Sequence, residues 1–237
     1  LAWSSAASDV YKRQTLTIVR DRHGETPIHY SLVDNALFPH LAFCSEIKGL
    51  KILGYENIQM LSPGSFIKYG SDNNVISGKW YDIRQHIKRN VFSDRPTASQ
   101  KFKDLVQQGT MERTLSAVPV CSLNSGGIDS SVIAQALSQH NKNLVSYIAV
   151  YDEKSKDLRC ARELAEMLNI TLIEVKVDAP TTEDINELIY TIEMPHKAQI
   201  EISWACSVLA KRISSDGFKV ILSREGSDDL LASYGMS

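Results

Sequence analysis

The chain has 237 residues and a formal net charge of −2; 43% of its residues are hydrophobic and 23% are charged. This composition excludes a disordered polypeptide, the small charge gives no bulk attraction to nucleic acid or to an anionic membrane, and no apolar run is long enough to cross a bilayer. Four widely spaced cysteines form no CxxC pair, which argues against a zinc centre or a disulfide framework and favours reduced thiols in the cytoplasm: Cys44, Cys121, Cys160 and Cys206.

The first segment, 1–14 (LAWSSAASDVYKRQ), lacks the apolar stretch of a signal peptide and shows no clear periodicity. It resembles residual cloning sequence in front of a natural chain, so we expect a non-native leader and leave it out of the predicted fold. A flexible N-terminal arm is the alternative. The folded sequence is expected to start at Thr15.

Residues 15–95 form a first predicted domain that is rich in β-strand. Three runs in it have strand-like patterns, TLTIVR, HLAFCSEI and GSFIKYG, and turn-forming residues separate them. A short helix is predicted at 46–50. The polar segment 93–99 (SDRPTAS) is predicted to be a linker to a second domain, 96–237.

The second predicted domain alternates strands with helices. Four apolar runs predict strands, namely VPVCSL at 118–123, LVSYIAV at 144–150, TLIEVKV at 171–177 and KVILS at 219–223. Helices are predicted between them at 129–139, at 158–168, after a capping-box pattern of Thr181 and Asp184, and at about 204–214. This alternation predicts an α/β fold with a doubly wound parallel sheet, on which ligands bind beyond the carboxyl ends of the strands.

The segment Ser125–Ser131 (SGGIDSS) directly follows the first of these strands and opens the first helix. Its two glycines allow backbone N–H groups to converge on an anion, while the helix N-terminus and the serine hydroxyls add positive potential and donors. The carboxylate of Asp129 would repel a phosphate unless a divalent cation lay between them. Compensation of the helix dipole is the alternative role for Asp129, but it does not explain the preceding Ser-Gly-Gly. The pattern therefore predicts a phosphate-binding loop.

A second polar segment, Ser223–Asp229 (SREGSDD), follows the last predicted strand and contains three carboxylates. Taken alone, it is equally consistent with an exposed acidic loop. Because both polar segments follow strands of the same parallel sheet, we expect them to lie at the same sheet edge.

These motifs carry a resemblance to known families. SGGIDSS resembles the pyrophosphate loop of the N-type ATP pyrophosphatases, which cleave ATP between its α and β phosphates; the GxxxxGK[ST] loop of P-loop enzymes is absent, so transfer of the γ-phosphoryl group has no support. Further passages resemble the asparagine synthetase family in the same order and without large gaps: RDRHG at 20–24, SEIK at 45–48, PGS at 63–65, KWY at 79–81, and SREGSDD at 223–229 followed by Tyr234.

The resemblance implies a fragment with two parts. Residues 15–95 correspond to the end of a β-rich glutaminase domain of the N-terminal-nucleophile type, and 96–237 to a C-terminally incomplete ATP-pyrophosphatase domain. The implied reaction makes an amide through an acyl-adenylate: aspartate, ATP and ammonia from glutamine give asparagine, AMP and pyrophosphate. The expected ligands are ATP, Mg²⁺, a carboxylate such as aspartate, and ammonia or glutamine. A homodimer in the cytoplasm, without nucleic-acid or membrane partners, is also expected.

The resemblance also assigns roles to single residues. Those matched to ATP contacts are Leu123, Ser125, Gly126, Gly127, Asp129, Ser130, Val150, Ser223 and Arg224. Among them, Leu123 and Val150 match positions that line the adenine pocket. Asp129 and Asp228 match magnesium ligands, which suits the preference of that ion for hard oxygen donors. Glu225 matches the carboxylate that manages protons when ammonia attacks the acyl-adenylate.

Two departures from the family pattern bear on the substrates. No cysteine stands at the N-terminus, where the family has its glutaminase nucleophile, so we expect no glutamine hydrolysis by this chain. Where the family has a Thr-Thr-x-Arg loop for aspartate, this chain has Ala198–Glu201 (AQIE), which reverses a charge. Two alternatives therefore stay open: another carboxylate acceptor, as in the β-lactam synthetases, or a nucleotide-binding pseudoenzyme.

A third departure is Arg224, which stands where the family has a glycine. Its guanidinium either extends over the phosphates as an additional anion clamp, or pairs with Asp228 or Asp229 and blocks metal binding. The second outcome is favoured, because the neighbouring carboxylates offer partners whether or not a nucleotide is bound.

Overall fold

The structure is a computed structural model that describes residues 8–10, 15–33, 40–70, 73–87 and 94–228. The chain divides into two compact units, Leu1–Asn90 (the N-terminal unit) and Val91–Ser237 (the C-terminal unit). Asp229 and Tyr234, which belong to the acidic motif, lie outside the described residues.

Antiparallel strands build the N-terminal unit. Its elements in chain order are β1 (Ser8–Val10), β2 (Thr15–Val19), β3 (His29–Val33), β4 (His40–Cys44), α1 (Ile47–Ile52), β5 (Gln59–Met60), β6 (Ser65–Gly70), β7 (Val75–Lys79) and a 3₁₀ turn (Ile83–Gln85). One sheet has the strand order β1-β2-β6-β7, and a second has the order β4-β3-β5. The hydrophobic core contains Ile18, Ile28, Leu61 and Ile67.

The predicted strands and the short helix are present, and β3, β5 and β7 are additional. The segment 1–14, which the predicted fold does not include, contributes strand Ser8–Val10, which pairs antiparallel with β2, Ser8 opposite Ile18. Absence of a periodic pattern did not exclude a strand, since three residues are too few to show a period of two.

The RDRHG motif has a structural role in this unit. Arg20 is 7% exposed and donates hydrogen bonds to the backbone carbonyls of Thr26, Leu61 and Gly24. Its own carbonyl accepts a bond from the indole Nε1 of Trp80 at 3.0 Å. A buried guanidinium needs such acceptors. Arg20 therefore connects neighbouring turns of this unit, and this structural role accounts for the motif.

The C-terminal unit is an α/β layer. Its elements are α2 (Arg95–Glu112), β8 (Val120–Leu123), α3 (Ile128–Ser138), β9 (Val145–Val150), α4 (Lys156–Leu168), β10 (Thr171–Lys176), α5 (Thr182–Ile192), α6 (Lys197–Ser215) and β11 (Val220–Leu222). All strand pairs are parallel, in the order β10-β9-β8-β11. The predicted parallel α/β sheet is therefore confirmed.

Helices cover both faces of this sheet. On β9, Tyr147 is fully buried in a cluster with Leu209 and Ile213 of α6, while the adjacent Ile148 packs with Leu158 of α4. Successive side chains of a strand point to opposite faces, so α6 and α4 lie on opposite sides of the sheet. Such a doubly wound arrangement follows from the chain moving from β8 outward to β10 and then returning across β8 to β11.

Two sequence predictions about helices are wrong. The linker predicted at 93–99 falls mostly in helix α2, which starts at Arg95; the Asp94 side chain caps it by accepting a bond from the Thr97 amide at 2.8 Å. Helix α6 starts at Lys197, well before 204. For α2, a polar first turn concealed the helix start, because Asp, Thr and Ser at such positions also favour loops.

Candidate functional site

The two polar segments meet at the carboxyl edge of the sheet, as expected. Strands β8 and β11 are parallel neighbours in the sheet. The hydroxyl of Ser227, after β11, donates to Asp129 Oδ2, after β8, at 2.7 Å. The strand order reverses between β8 and β11, and such a switch point leaves a crevice in which doubly wound proteins bind ligands.

The first segment forms a tight loop around Gly126. This residue has φ +74°, and a Cβ atom added to it would overlap the backbone carbonyl of Asp157 at the start of α4. Its amide donates to Asn124 Oδ1 at 3.0 Å. Gly127 differs, because it has φ −82° and an added Cβ would meet only Ser125 Oγ at 3.5 Å. Gly126 is therefore required by backbone geometry and Gly127 is not.

Two serines of this loop have different surroundings. Ser130 is 2% exposed, and its hydroxyl donates to the Gly127 carbonyl at 3.0 Å, lies 3.1 Å from Ser125 Oγ, and accepts from the Ser125 amide. Ser125 is exposed. Ser130 thus holds the loop, while Ser125 and the first amides of α3, which have no acceptor within a helix, form the surface available to an anion.

Asn124 is a site residue that the sequence analysis missed. It is 1% exposed, its backbone amide bonds to the Tyr147 carbonyl, and its Oδ1 accepts from Gly126. Within the described residues its Nδ2 has no hydrogen-bond partner. A buried donor without an acceptor costs about 1–3 kcal/mol, which a ligand acceptor would recover. Its place directly after β8 is the signal that could have found it.

A cavity of about 380 Å³ opens beside this loop. Its walls are the ends of β8 and β9, the start of α4, one residue of α6 and the loop after β11: Leu123, Asn124, Ser125, Ser130, Tyr147, Ile148, Ala149, Tyr151, Asp152, Ser155, Asp157, Leu209, Ser223, Arg224 and Glu225. Mixed apolar and polar walls of this size suit a nucleotide with its base between the strand ends. The connection from β9 to α4, with Tyr151 and Asp157, was not foreseen from the sequence.

The structure places Val150 apart from the other predicted site residues. Its side chain is 7% exposed and packs in the cluster of Ile148, Leu158 and Ala161. The described residues lining the cavity include its neighbours Ala149 and Tyr151 but not Val150. Its burial against Leu158 and Ala161 of α4 accounts for its absence from the lining.

A second cavity of about 440 Å³ lies on the other side of the loop after β11, between α2 and α3. Its lining is largely apolar: Phe102, Val106, Gly109, Thr110, Arg113, Ile128, Asp129, Val132, Ile133, Leu222, Ser223, Arg224, Glu225, Gly226 and Ser227. Ser223, Arg224 and Glu225 line both cavities. These three residues therefore form a wall between the two cavities.

Arg224 contacts both carboxylates that were expected to bind magnesium. Its Nη1 lies 3.2 Å from Asp228 Oδ2 and 3.6 Å from Asp129 Oδ2. In the described part of the chain, no three His, Cys, Asp or Glu side chains are grouped so that they could hold a metal ion. The two aspartates in this arrangement hold a guanidinium and do not fit a divalent cation between them.

Glu225 is exposed, and its charge acts on α6. Burial and, secondarily, the Glu225 carboxylate raise the pKa of the Cys206 thiol. Glu225 itself lines both cavities.

The segment 198–201, where the family has its aspartate loop, belongs to the first turns of α6. Glu201 is exposed and lies 3.7 Å from the ammonium of Lys197. An i,i+4 pair on a helix surface explains this contact without a ligand.

Comparison with known proteins decides the family. A model of the asparagine synthase family matches residues 101–237, which is more than half of the chain. The chain belongs to the asparagine synthase family. An asparagine synthetase [glutamine-hydrolyzing] from Asparagus officinalis is 27% identical over 229 residues, covering 91% of this chain and 37% of its own length. The corresponding protein from Triphysaria versicolor is 28% identical over 93% of this chain and 38% of its own.

The chain thus spans less than two fifths of the length of these asparagine synthetases. Among solved structures, an NH3-dependent NAD synthetase from Campylobacter jejuni subsp. jejuni matches 61% of this chain and 62% of its own, at 19% identity and a TM-score of 0.40. No helix within the described residues has the length and apolar character needed to cross a membrane.

Proposed function

We propose that the C-terminal unit binds ATP and activates a carboxylate as its acyl-adenylate for amide formation. The observation that carries this proposal is the loop around Gly126, which opens helix α3 at the switch point of the sheet and borders a nucleotide-sized cavity. Membership of the asparagine synthase family supports the same chemistry.

In the proposed reaction a carboxylate oxygen attacks the α-phosphorus of ATP, and the bond from that phosphorus to the bridging oxygen of pyrophosphate breaks. Ammonia then attacks the acyl carbon, the bond to the AMP oxygen breaks, and the nitrogen loses a proton. The exposed carboxylate of Glu225, in the wall shared by both cavities, is the proposed acceptor of this proton.

Each cavity receives one reactant in this scheme. The adenine lies against Leu123 and Ala149, and the phosphates lie over Ser125 and the first turn of α3, where the helix dipole favours anions. The acceptor enters the second cavity, with its carboxylate directed at the shared wall and its remainder against apolar side chains such as Phe102 and Val132. Aspartate is the family's expected acceptor, but an apolar lining also suits a larger carboxylate.

For the N-terminal unit we propose a relation to the end of a glutaminase domain. The β-rich sheets and the ordered motifs at 20–24, 45–48, 63–65 and 79–81 support it. Ammonia is then the direct nitrogen donor, and glutamine is its proposed source. A cytoplasmic homodimer remains the expected setting.

The test is carboxylate-dependent exchange of labelled pyrophosphate into ATP, measured on the whole chain with a panel of carboxylates. Exchange with any acceptor supports adenylation, and aspartate tests the narrower assignment. Ser125→Ala, which removes the exposed hydroxyl, should slow exchange by about tenfold, roughly 1.4 kcal/mol. Ser215→Ala is the matched control, because its hydroxyl bonds to the Arg212 carbonyl at the far end of α6. ATP binding without exchange for any carboxylate would favour the pseudoenzyme alternative.

A further inference from the structure

Arg224 is held between two carboxylates from different loops. Asp129 lies in the first turn of α3, and Asp228 lies in the segment after β11, yet both contact the same guanidinium nitrogen. Asp129 also accepts from Ser227, which fixes its carboxylate toward this loop. The arginine therefore joins the two segments that border the nucleotide cavity.

This placement changes the charge that an incoming phosphate meets. Two aspartates alone would repel a triphosphate and would require a divalent cation between them and the ligand. One guanidinium in contact with both removes half of their combined negative charge. It also competes with a metal ion for the same oxygens, because each Oδ2 already faces a positive group.

Arg224 also keeps the capacity to bind phosphate. Both carboxylate contacts are made by Nη1, while a guanidinium carries five N–H donors on three nitrogens. Its side chain is 43% exposed and lines the nucleotide cavity together with Ser125. The planar, permanently charged guanidinium suits phosphate oxygens. Because the carboxylates contact one edge of the guanidinium, its other edge can donate to the ligand.

We propose that Arg224 supplies the positive charge of this site in place of a divalent cation, so that the chain binds ATP without magnesium. This inference rests on the proposed binding of ATP in the first cavity. It assigns to Arg224 a specificity-determining role: it selects the metal-free nucleotide over the magnesium complex.

Calorimetry with α,β-methylene-ATP, in excess Mg²⁺ or in excess EDTA, tests the proposal. For the unaltered chain the two dissociation constants should agree within about threefold, and Arg224→Gln should weaken binding in EDTA by at least about tenfold. Arg224→Lys retains the charge and should bind in EDTA more tightly than Arg224→Gln. The matched control is Arg159→Gln. Arg159 is also exposed and also pairs with an acidic residue four positions on, Glu163, but it lies outside the described cavity lining.

A second measurement reports on the metal directly. Titration with Mn²⁺ alone, followed by electron paramagnetic resonance, should show binding to Arg224→Gln at least about tenfold tighter than to the unaltered chain, because the two aspartates are then released. Nucleotide binding by the unaltered chain only in the presence of Mg²⁺, or equal Mn²⁺ affinity of both proteins, would overturn the inference and leave the proposed function standing. Absence of nucleotide binding under both conditions would overturn the proposed function itself.

Discussion

Gly126 and Gly127 are adjacent, but the backbone conformation requires a glycine only at position 126. Gly126→Ala places a Cβ against the Asp157 carbonyl at positive φ and should lower the free energy of unfolding by about 3 kcal/mol. Gly127→Ala, at negative φ, should cost about 1 kcal/mol or less. Urea denaturation of both variants measures the difference, and equal costs would contradict the assigned loop geometry.

Asn124 combines a structural acceptor with a buried donor that lacks a partner. Asn124→Asp keeps the acceptor for the Gly126 amide but loses the donor and adds negative charge to the cavity wall. We expect ATP affinity to fall by at least about tenfold, measured by calorimetry. Asn141→Asp is the control, because its Oδ1 accepts from the amide two residues on in the same way, at the other end of α3. Unchanged ATP affinity of the Asn124→Asp variant would show that Asn124 does not contact the ligand.

Cys121 offers a test of burial by pH. It is fully buried, and burial raises the pKa of its thiol from 9.0 to about 11. Because the folded-state pKa is the higher one, the neutral thiol's contribution to stability is complete below pH 9 and is lost as pH rises toward 11. Alkylation of the native protein with iodoacetamide at pH 8, followed by mass spectrometry, should leave Cys121 unmodified and modify it after unfolding in urea. Rapid modification of Cys121 in the native protein would show that β8 is accessible to the reagent.

At the scale of elements, helix α5 shows how far local sequence specifies structure. Thr181 and Asp184 cap each other's backbone as their spacing predicts, with bonds of 3.1 and 2.9 Å. Thr181→Ala should reduce the free energy of unfolding by about 1 kcal/mol, whereas Thr181→Ser, which keeps the hydroxyl, should have a smaller effect. Thermal unfolding followed by circular dichroism measures both, and identical losses would exclude the hydroxyl as the cap.

The elements that sequence predicted are those with strong local signals. Strands β8 to β11 are short apolar runs, and α4 has a clear apolar face with buried Leu158, Ala161 and Ala165. Helix α2 was not predicted because it has no clear apolar face: only Thr110 is buried in it, and Phe102 and Leu105 are about half exposed. Its position is set by packing on α3, a tertiary effect that no local pattern contains.

For the site, the two polar segments could be placed at one sheet edge from topology alone. What the sequence could not provide were the contacts between the segments, which join Ser227 and Arg224 to Asp129. The contact of Arg224 with Asp228, within one segment, was the pairing that the sequence favoured. It also could not separate Gly126 from Gly127, nor show which way Val150 faces. These depend on loop geometry and strand register, which arise only once the sheet is assembled.

At the scale of the whole molecule, nucleotide binding should affect the two units unequally. Saturating ATP, at about a hundredfold its dissociation constant, stabilises the state that binds it by about 2.7 kcal/mol. Hydrogen exchange measured by mass spectrometry should therefore slow in peptides around 124–131 and 223–228, while strands of the N-terminal unit should exchange at unchanged rates. Protection confined to the N-terminal unit would place the nucleotide elsewhere.

The loop of Ser223, Arg224 and Glu225 forms a wall of both cavities, so their occupants cannot be energetically independent. A ligand that fixes this wall from one side alters the free energy of filling the other side. Thermodynamic reciprocity then requires the effect to be mutual: whatever factor ATP applies to the affinity of the acceptor, the acceptor applies to that of ATP. The order in which the two reactants enter leaves the total binding free energy unchanged, as for any pair of ligands, but the three-residue partition lets each one set the affinity that the other encounters.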